Sequence, residues 1–124
     1  MTLFLPPEEE PLGLIQGKTP DSKEEYWVAQ ALYKYNVEFD YQWEIFGGTS
    51  RRGGLVVDFV VWNPMQTPLE VNGNYWHRGE MEGGDKYDLI AIEDYFKREA
   101  IVLWGEDMES PEDVDNFVRQ NVAN

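Results

Sequence analysis

Asp58 interrupts an otherwise apolar run, LVVDFVVW at 55–62, and Glu70, Asn72 and His77 punctuate a second, LEVNGNYWH at 69–77. Side chains alternate along a strand, so Glu70 and Asn72 share one face of their ribbon, and Asp58 shares a face with Val56, Val60 and Trp62. If the two runs form a hairpin centred near Pro64, residues 58 and 70 stand opposite each other with Cβ atoms roughly 5 Å apart. Carboxylates that close repel. Burying them demands a raised pKa, a cationic partner or a metal ion. A hard divalent cation such as Mg²⁺ takes oxygen ligands and keeps several waters, which suits Asp58, Glu70, the backbone carbonyl of Val71 and a phosphate oxygen of a substrate. The competing reading is an acid satisfied by hydrogen bonds at a sheet edge. A Glu on the next strand, with Asn72 in the same row, favours the metal.

The elements that must position these residues follow from local patterns. Ser22 with Glu25 three residues later fits a capping box, and Trp27, Val28, Ala31, Leu32 and Tyr35 recur at helical spacing, predicting a helix over 22–35 that ends at Asn36. Alternation predicts a strand over 39–46, followed by the glycine-bracketed turn GGTSRRGG. The run 55–62 is apolar on both faces and reads as a central strand. A third strand is expected over 69–76. Gly83, Gly84 and Asp85 precede a helix over 86–99 with an apolar stripe of Leu89, Ile92 and Phe96. AIVLW at 100–104 is a short buried strand, and Ser110, Pro111 and Glu112 open a last helix with Val114, Phe117, Val118 and Val122 facing inward. The expected fold class is α/β: a central mixed sheet of about four strands flanked by helices, in the order α-β-β-β-α-β-α.

At 124 residues one domain is expected, long enough to bury about two-thirds of its unfolded surface. Residues 21–124 form that domain. Residues 1–20, proline-rich and carrying Glu8, Glu9 and Glu10, read as an extended arm whose apolar residues dock on the domain or grip another subunit, giving a homodimer or a complex with a protein partner. Hydrophobic residues make up 42% of the chain and aromatics 15%, too apolar for disorder. The absence of cysteine removes disulfides and thiolate metal sites. No leader pattern opens the chain and no apolar run approaches a membrane span, so the expectation is a cytoplasmic protein without a membrane partner. The net charge of −14 argues against a polyanionic partner. The bases are not spread evenly, however: six of the ten, Arg51, Arg52, Arg78, Lys86, Lys97 and Arg98, lie between 41 and 104.

The chain resembles the PD-(D/E)XK nuclease superfamily, and within it the compact endonucleases related to the very-short-patch-repair enzyme. The matching residues are Glu25 near the start of the first helix, VVDFVV at 56–61, LEVNGNYWH at 69–77 and AIVLWGEDM at 100–108, and the resemblance runs from about 19 to 122. It implies a restriction-endonuclease-like core, Mg²⁺ (with Mn²⁺ as substitute) held by Asp58 and Glu70 with Glu25 auxiliary, and metal-assisted hydrolysis of DNA phosphodiesters by an endonuclease or nickase. The settings left open are repair, restriction, recombination, or a phage or other mobile element.

One departure matters. The superfamily's lysine, two residues after the Glu, is Asn72 here, a neutral amide that positions a water but supplies no charge. The patch-repair relatives also lack that lysine and use a histidine farther along, which makes His77 the candidate general acid or base, the alternative being a packed or hydrogen-bonded side chain beside Tyr75 and Trp76. Lys86 is the other candidate for the missing cation. Arg51 and Arg52 in the glycine-rich turn, with Arg78 on the other side of the site, would contact phosphates, the alternative being solvated tips. Trp62, Tyr75 and Trp76 are read as core, with base stacking the alternative. Asn72, the acidity and the arm also fit a different class: a catalytically inactive nuclease-like fold acting as a binding or assembly subunit.

Overall fold

The computed structural model describes residues 12–48, 54–62 and 64–123, apart from the side chain of Arg78. Arg51, Arg52 and residues 1–11 of the arm therefore lie outside the described residues. Helix α1 (Lys23–Lys34) is followed by strands β1 (Glu38–Ile45), β2 (Leu55–Trp62) and β3 (Gln66–Asn72), helix α2 (Gly83–Phe96), strand β4 (Ile101–Trp104) and helix α3 (Pro111–Asn121). The strands form one mixed sheet in the order β1-β2-β3-β4, antiparallel for the first two pairings and parallel for the last. This is the α/β arrangement and element order expected from the sequence.

The differences are local. Ser22 caps α1 by accepting the Glu25 N–H, and Asn36 leaves the helix in the left-handed conformation at φ 57°. β3 begins three residues before the expected Leu69 and stops at Asn72. Pro68 lacks an N–H but is tolerated because β4 pairs only with Leu69–Asn72, so β3 has a free edge at Pro68. α2 starts at Gly83, at φ 65°, and ends at Lys97, a non-glycine residue at φ 56°, so the helix lies three residues earlier than its apolar stripe implied.

Two apolar layers enclose the sheet. Val28 and Leu32 of α1 and Val114, Val118 and Val122 at α3 pack with Phe39, Tyr41, Phe59, Val61, Leu69 and Leu103. Ile92 and Phe96 of α2 pack with Trp43, Ile45, Val57 and Val60. Tyr41 and Phe59 therefore belong to one layer, while Trp43 and Val57, two residues along the same paired strands, belong to the other. Alternation would keep them on one face. The ribbon turns over at the intervening positions, Gln42 and Asp58, and Gln42 carries the backbone signature of that turn at φ 57°.

β1 would be an open edge, but the described end of the arm covers it. Residues 15–18 make a tight turn with Ile15 fully buried. The Gln16 carboxamide donates to Phe39 O at 2.6 Å and accepts from Tyr41 N at 2.8 Å, and Lys18 donates to Tyr41 O at 3.2 Å. One amide side chain thus imitates a neighbouring strand and blocks edge pairing.

Phe59 is fully buried between Tyr41 and Phe39, with ring centroids 5.0 and 5.7 Å away, whereas Trp62 three residues on is 37% exposed. Phe59→Ala is expected to cost about 3–5 kcal/mol in urea unfolding, and Trp62→Ala less than about 1 kcal/mol. Equal losses for the two would contradict this division of the sheet.

Candidate functional site

The β2–β3 ladder runs from Trp62 opposite Gln66 to Phe59 opposite Leu69, a register centred on residue 64, and its next step sets Asp58 opposite Glu70. There the ladder to β2 ends, while along its other edge β3 continues paired with β4, Glu70 against Val102 and Val71 against Leu103. At this fork the two carboxylates replace ladder carbonyls. Asp58 accepts the Val71 N–H at 2.8 Å, and Glu70 accepts the Asp58 N–H at 3.3 Å. Each strand's acid is therefore fastened to the backbone of the other strand. Both open into a cavity of about 180 Å³ between the sheet and the start of α2, which Asn72, Asn74, Asp85 and Asp88 also line.

Burial is the main reason both acids titrate above the ordinary carboxylate range. Glu70 is raised well above its usual value, with Asp58 adding to the rise, and Asp58 is raised with it, the donors around Asp58 partly offsetting its own rise. Among the described residues neither is in an ion pair. Glu25, at the start of α1, is pushed up to about 7. Its burial dominates, the Tyr41 hydroxyl opposes the shift, and the charges of Asp58 and Asp21 add to it.

Two adjacent, half-buried acids with no ion-pair partner among the described residues fit a hard divalent ion, which would relieve both desolvation and repulsion. Among the described residues no three His, Cys, Asp or Glu side chains gather closely enough to hold an ion by themselves. The protein's share would be the Asp58–Glu70 pair with the amide of Asn72, and water or substrate oxygens would fill the remaining positions.

The other expected site residues are less concentrated. Val71 lines the cavity, and its N–H is committed to Asp58. Glu25 is buried and does not line the cavity; its carboxylate accepts from the Tyr41 hydroxyl at 2.6 Å and from Ser22 at 3.4 Å. His77 is exposed in the turn after Asn72, and its backbone N–H donates to the Glu80 carboxylate at 3.1 Å. Lys86 is exposed on the first turn of α2, outside the cavity lining. Arg78 lies in a single 3-10 turn, Arg78–Glu80. Trp62 and Trp76, read as core, are 37% and 48% exposed, and Tyr75 is half-buried with its hydroxyl donating to Asp85 at 2.8 Å. The core reading fails for the two tryptophans because β2 ends at Trp62 and β3 ends at Asn72, which leaves Trp62 at the tip of its strand and Trp76 in the turn beyond.

Asn74, Asp85 and Asp88 were missed. The signal for the two aspartates is their spacing with Leu89 and Ile92, at i, i+3, i+4 and i+7 on one helical face. It emerges only when the helix starts at Gly83, because a start at 86 leaves Asp85 outside it.

The raised carboxyls predict how stability varies with pH. Between the ordinary Glu value of 4.5 and about 7, the folded state holds a proton at Glu25 that the unfolded state has lost, so stability falls as pH rises through that window. Glu25 alone would account for at most about 3 kcal/mol, and the Asp58–Glu70 pair acts in the same direction. Metal-free protein should melt at a lower temperature at pH 7.5 than at pH 5. Glu70→Gln should raise the pH 7.5 midpoint and flatten the profile. A parent that gains stability from pH 5 to 7.5, or a variant with a lower midpoint at pH 7.5, would contradict this.

No family model matches the chain, and neither the comparison with curated proteins nor that with solved structures finds a match.

Proposed function

We propose that this chain is a Mg²⁺-dependent endodeoxyribonuclease or nickase built on a restriction-endonuclease-like core. The observation that carries the reading is the Asp58–Glu70 pair, side by side on adjacent strands, half-buried, opening into a cavity and, among the described residues, in no ion pair. The element order supports it: a helix, a three-strand antiparallel meander, a helix, and a fourth strand parallel to the third.

In this reading Asp58 and Glu70 hold Mg²⁺ or Mn²⁺, which when bound polarises a phosphate and lowers the pKa of its water. The backbone bonds that fasten the two carboxylates to opposite strands pre-set their orientation, so little reorganisation accompanies loading. Asn72 orients a water by hydrogen bonding. His77, exposed beyond the end of β3, has the freedom to move a proton to or from solvent as general acid or base. Lys86 is the alternative source of positive charge, and Arg51, Arg52 and Arg78 are the candidate phosphate contacts. The exposed faces of Trp62 and Trp76 are open to base stacking.

The net charge of −14 sets the terms of DNA binding. Bound divalent ions offset a few charges at the site, where the field on the phosphate is strongest. Weak, salt-sensitive binding by the isolated chain follows, with tighter binding supplied by a second copy or a protein partner through the arm. No helix among the described residues is long and apolar enough to cross a membrane, and a cytoplasmic site of action is part of the proposal.

A binding or assembly subunit on the same fold is the second reading. It is favoured by Asn72 at the lysine position and by the absence, among the described residues, of a three-acid cluster. Incubation with supercoiled plasmid and branched DNA in Mg²⁺ or Mn²⁺ separates the two. The nuclease reading expects nicked or linear product, reduced at least about 100-fold in Asp58→Ala, the scale of loss when a group acting on the transition state is removed. Equal behaviour of parent and variant would contradict it, and metal uptake without cleavage would favour the binding subunit.

A further inference from the structure

Tyr41 is 2% exposed, and its hydroxyl uses both of its capacities at the N-terminus of α1. It donates to Glu25 Oε1 at 2.6 Å and accepts the backbone N–H of Asp21 at 3.1 Å. Ser22 Oγ donates to the other Glu25 oxygen at 3.4 Å while accepting the Glu25 N–H at 3.1 Å. Both carboxylate oxygens of Glu25 are therefore occupied by the helix cap and by β1. Its charge nonetheless reaches Glu70, and that of Asp58 reaches Glu25. The three acids are close enough to interact, yet Glu25 does not line the cavity and does not complete a three-acid ligand set.

The position of Tyr41 is fixed on every side. Its ring packs on Phe59, the residue directly opposite it on β2 and the chain neighbour of Asp58, at a centroid distance of 5.0 Å. Its backbone N–H and carbonyl are both taken by the Gln16–Lys18 turn. A hydroxyl held that firmly, at 2.6 Å from a carboxylate, decides where the carboxylate points.

We infer that Tyr41 is a positioning residue that holds Glu25 back from the Asp58–Glu70 cavity, so that Glu25 contributes negative charge to the site without binding an ion directly. The inference rests on the metal reading of that pair. Loss of the hydroxyl leaves a buried carboxylate without its shortest donor, and an ion in the neighbouring cavity then becomes its best available partner. The latch limits both the affinity of the site and the number of protein ligands on the ion, leaving more positions for water and substrate.

Titration with Mn²⁺, followed by calorimetry and by water-proton relaxation to count bound waters, tests this on the full chain and needs no DNA. Tyr41→Phe is expected to bind Mn²⁺ about 3–10-fold more tightly than the parent with one fewer bound water. Glu25→Gln should keep the parent's water count, and adding Tyr41→Phe to Glu25→Gln should change neither quantity. Circular dichroism establishes that each variant is folded. Unchanged or weaker binding by Tyr41→Phe, or the same shift in both backgrounds, overturns the latch while leaving the metal site intact. A folded parent that takes up no Mn²⁺ at millimolar concentration overturns the metal reading and the latch with it.

Discussion

The fork at which β3 parts from β2, while its other edge stays paired with β4, governs the rest of the molecule. Where two strands part, ladder groups lose their partners, and a buried backbone N–H without one is costly. Here the missing acceptors are carboxylates, Asp58 for Val71 N and Glu70 for Asp58 N. The same two bonds that let the sheet divide bring two carboxyl groups together. Architecture and electrostatic frustration therefore share one origin.

The scaffold is arranged to tolerate that frustration. An aromatic cluster of Phe39, Tyr41 and Phe59 backs the site from the α1–α3 layer, and β1 is sealed at its edge by Gln16 and Lys18. Gln42, in a conformation disfavoured for a residue with a side chain, lies where the ribbon turns over, across from Asp58. Strain and buried charge are thus concentrated at one point while apolar layers on both faces stabilise the sheet around it. A domain that selected only for stability would place amides or apolar residues there. This concentration of unfavourable groups is the physical basis for assigning a function to the site.

Much of this could be read from the sequence because it depends on short-range rules. Alternation in 55–62 and a turn near Pro64 were enough to oppose Asp58 and Glu70, and helical spacing with Ser22 and Ser110 located α1 and α3. What escaped depends on backbone conformations that residue type does not announce. Lys97 and Gln42 are left-handed without being glycine, so neither the end of α2 nor the turnover of the ribbon left a mark. Gly83 and Gly84 resemble a loop and are in fact the first turn of α2, which hid Asp85 and Asp88. Pro68 read as loop because its tolerance depends on where β4 begins pairing. The Tyr41–Glu25 bond spans elements and has no local signature at all.

The central claim is that Asp58 and Glu70 converge on one divalent ion. Anomalous diffraction from crystals soaked in millimolar Mn²⁺ tests it most directly. The account predicts a single strong peak within coordinating distance of both carboxylates, at the cavity between β2, β3 and α2. No peak there after soaking in millimolar Mn²⁺ would contradict it.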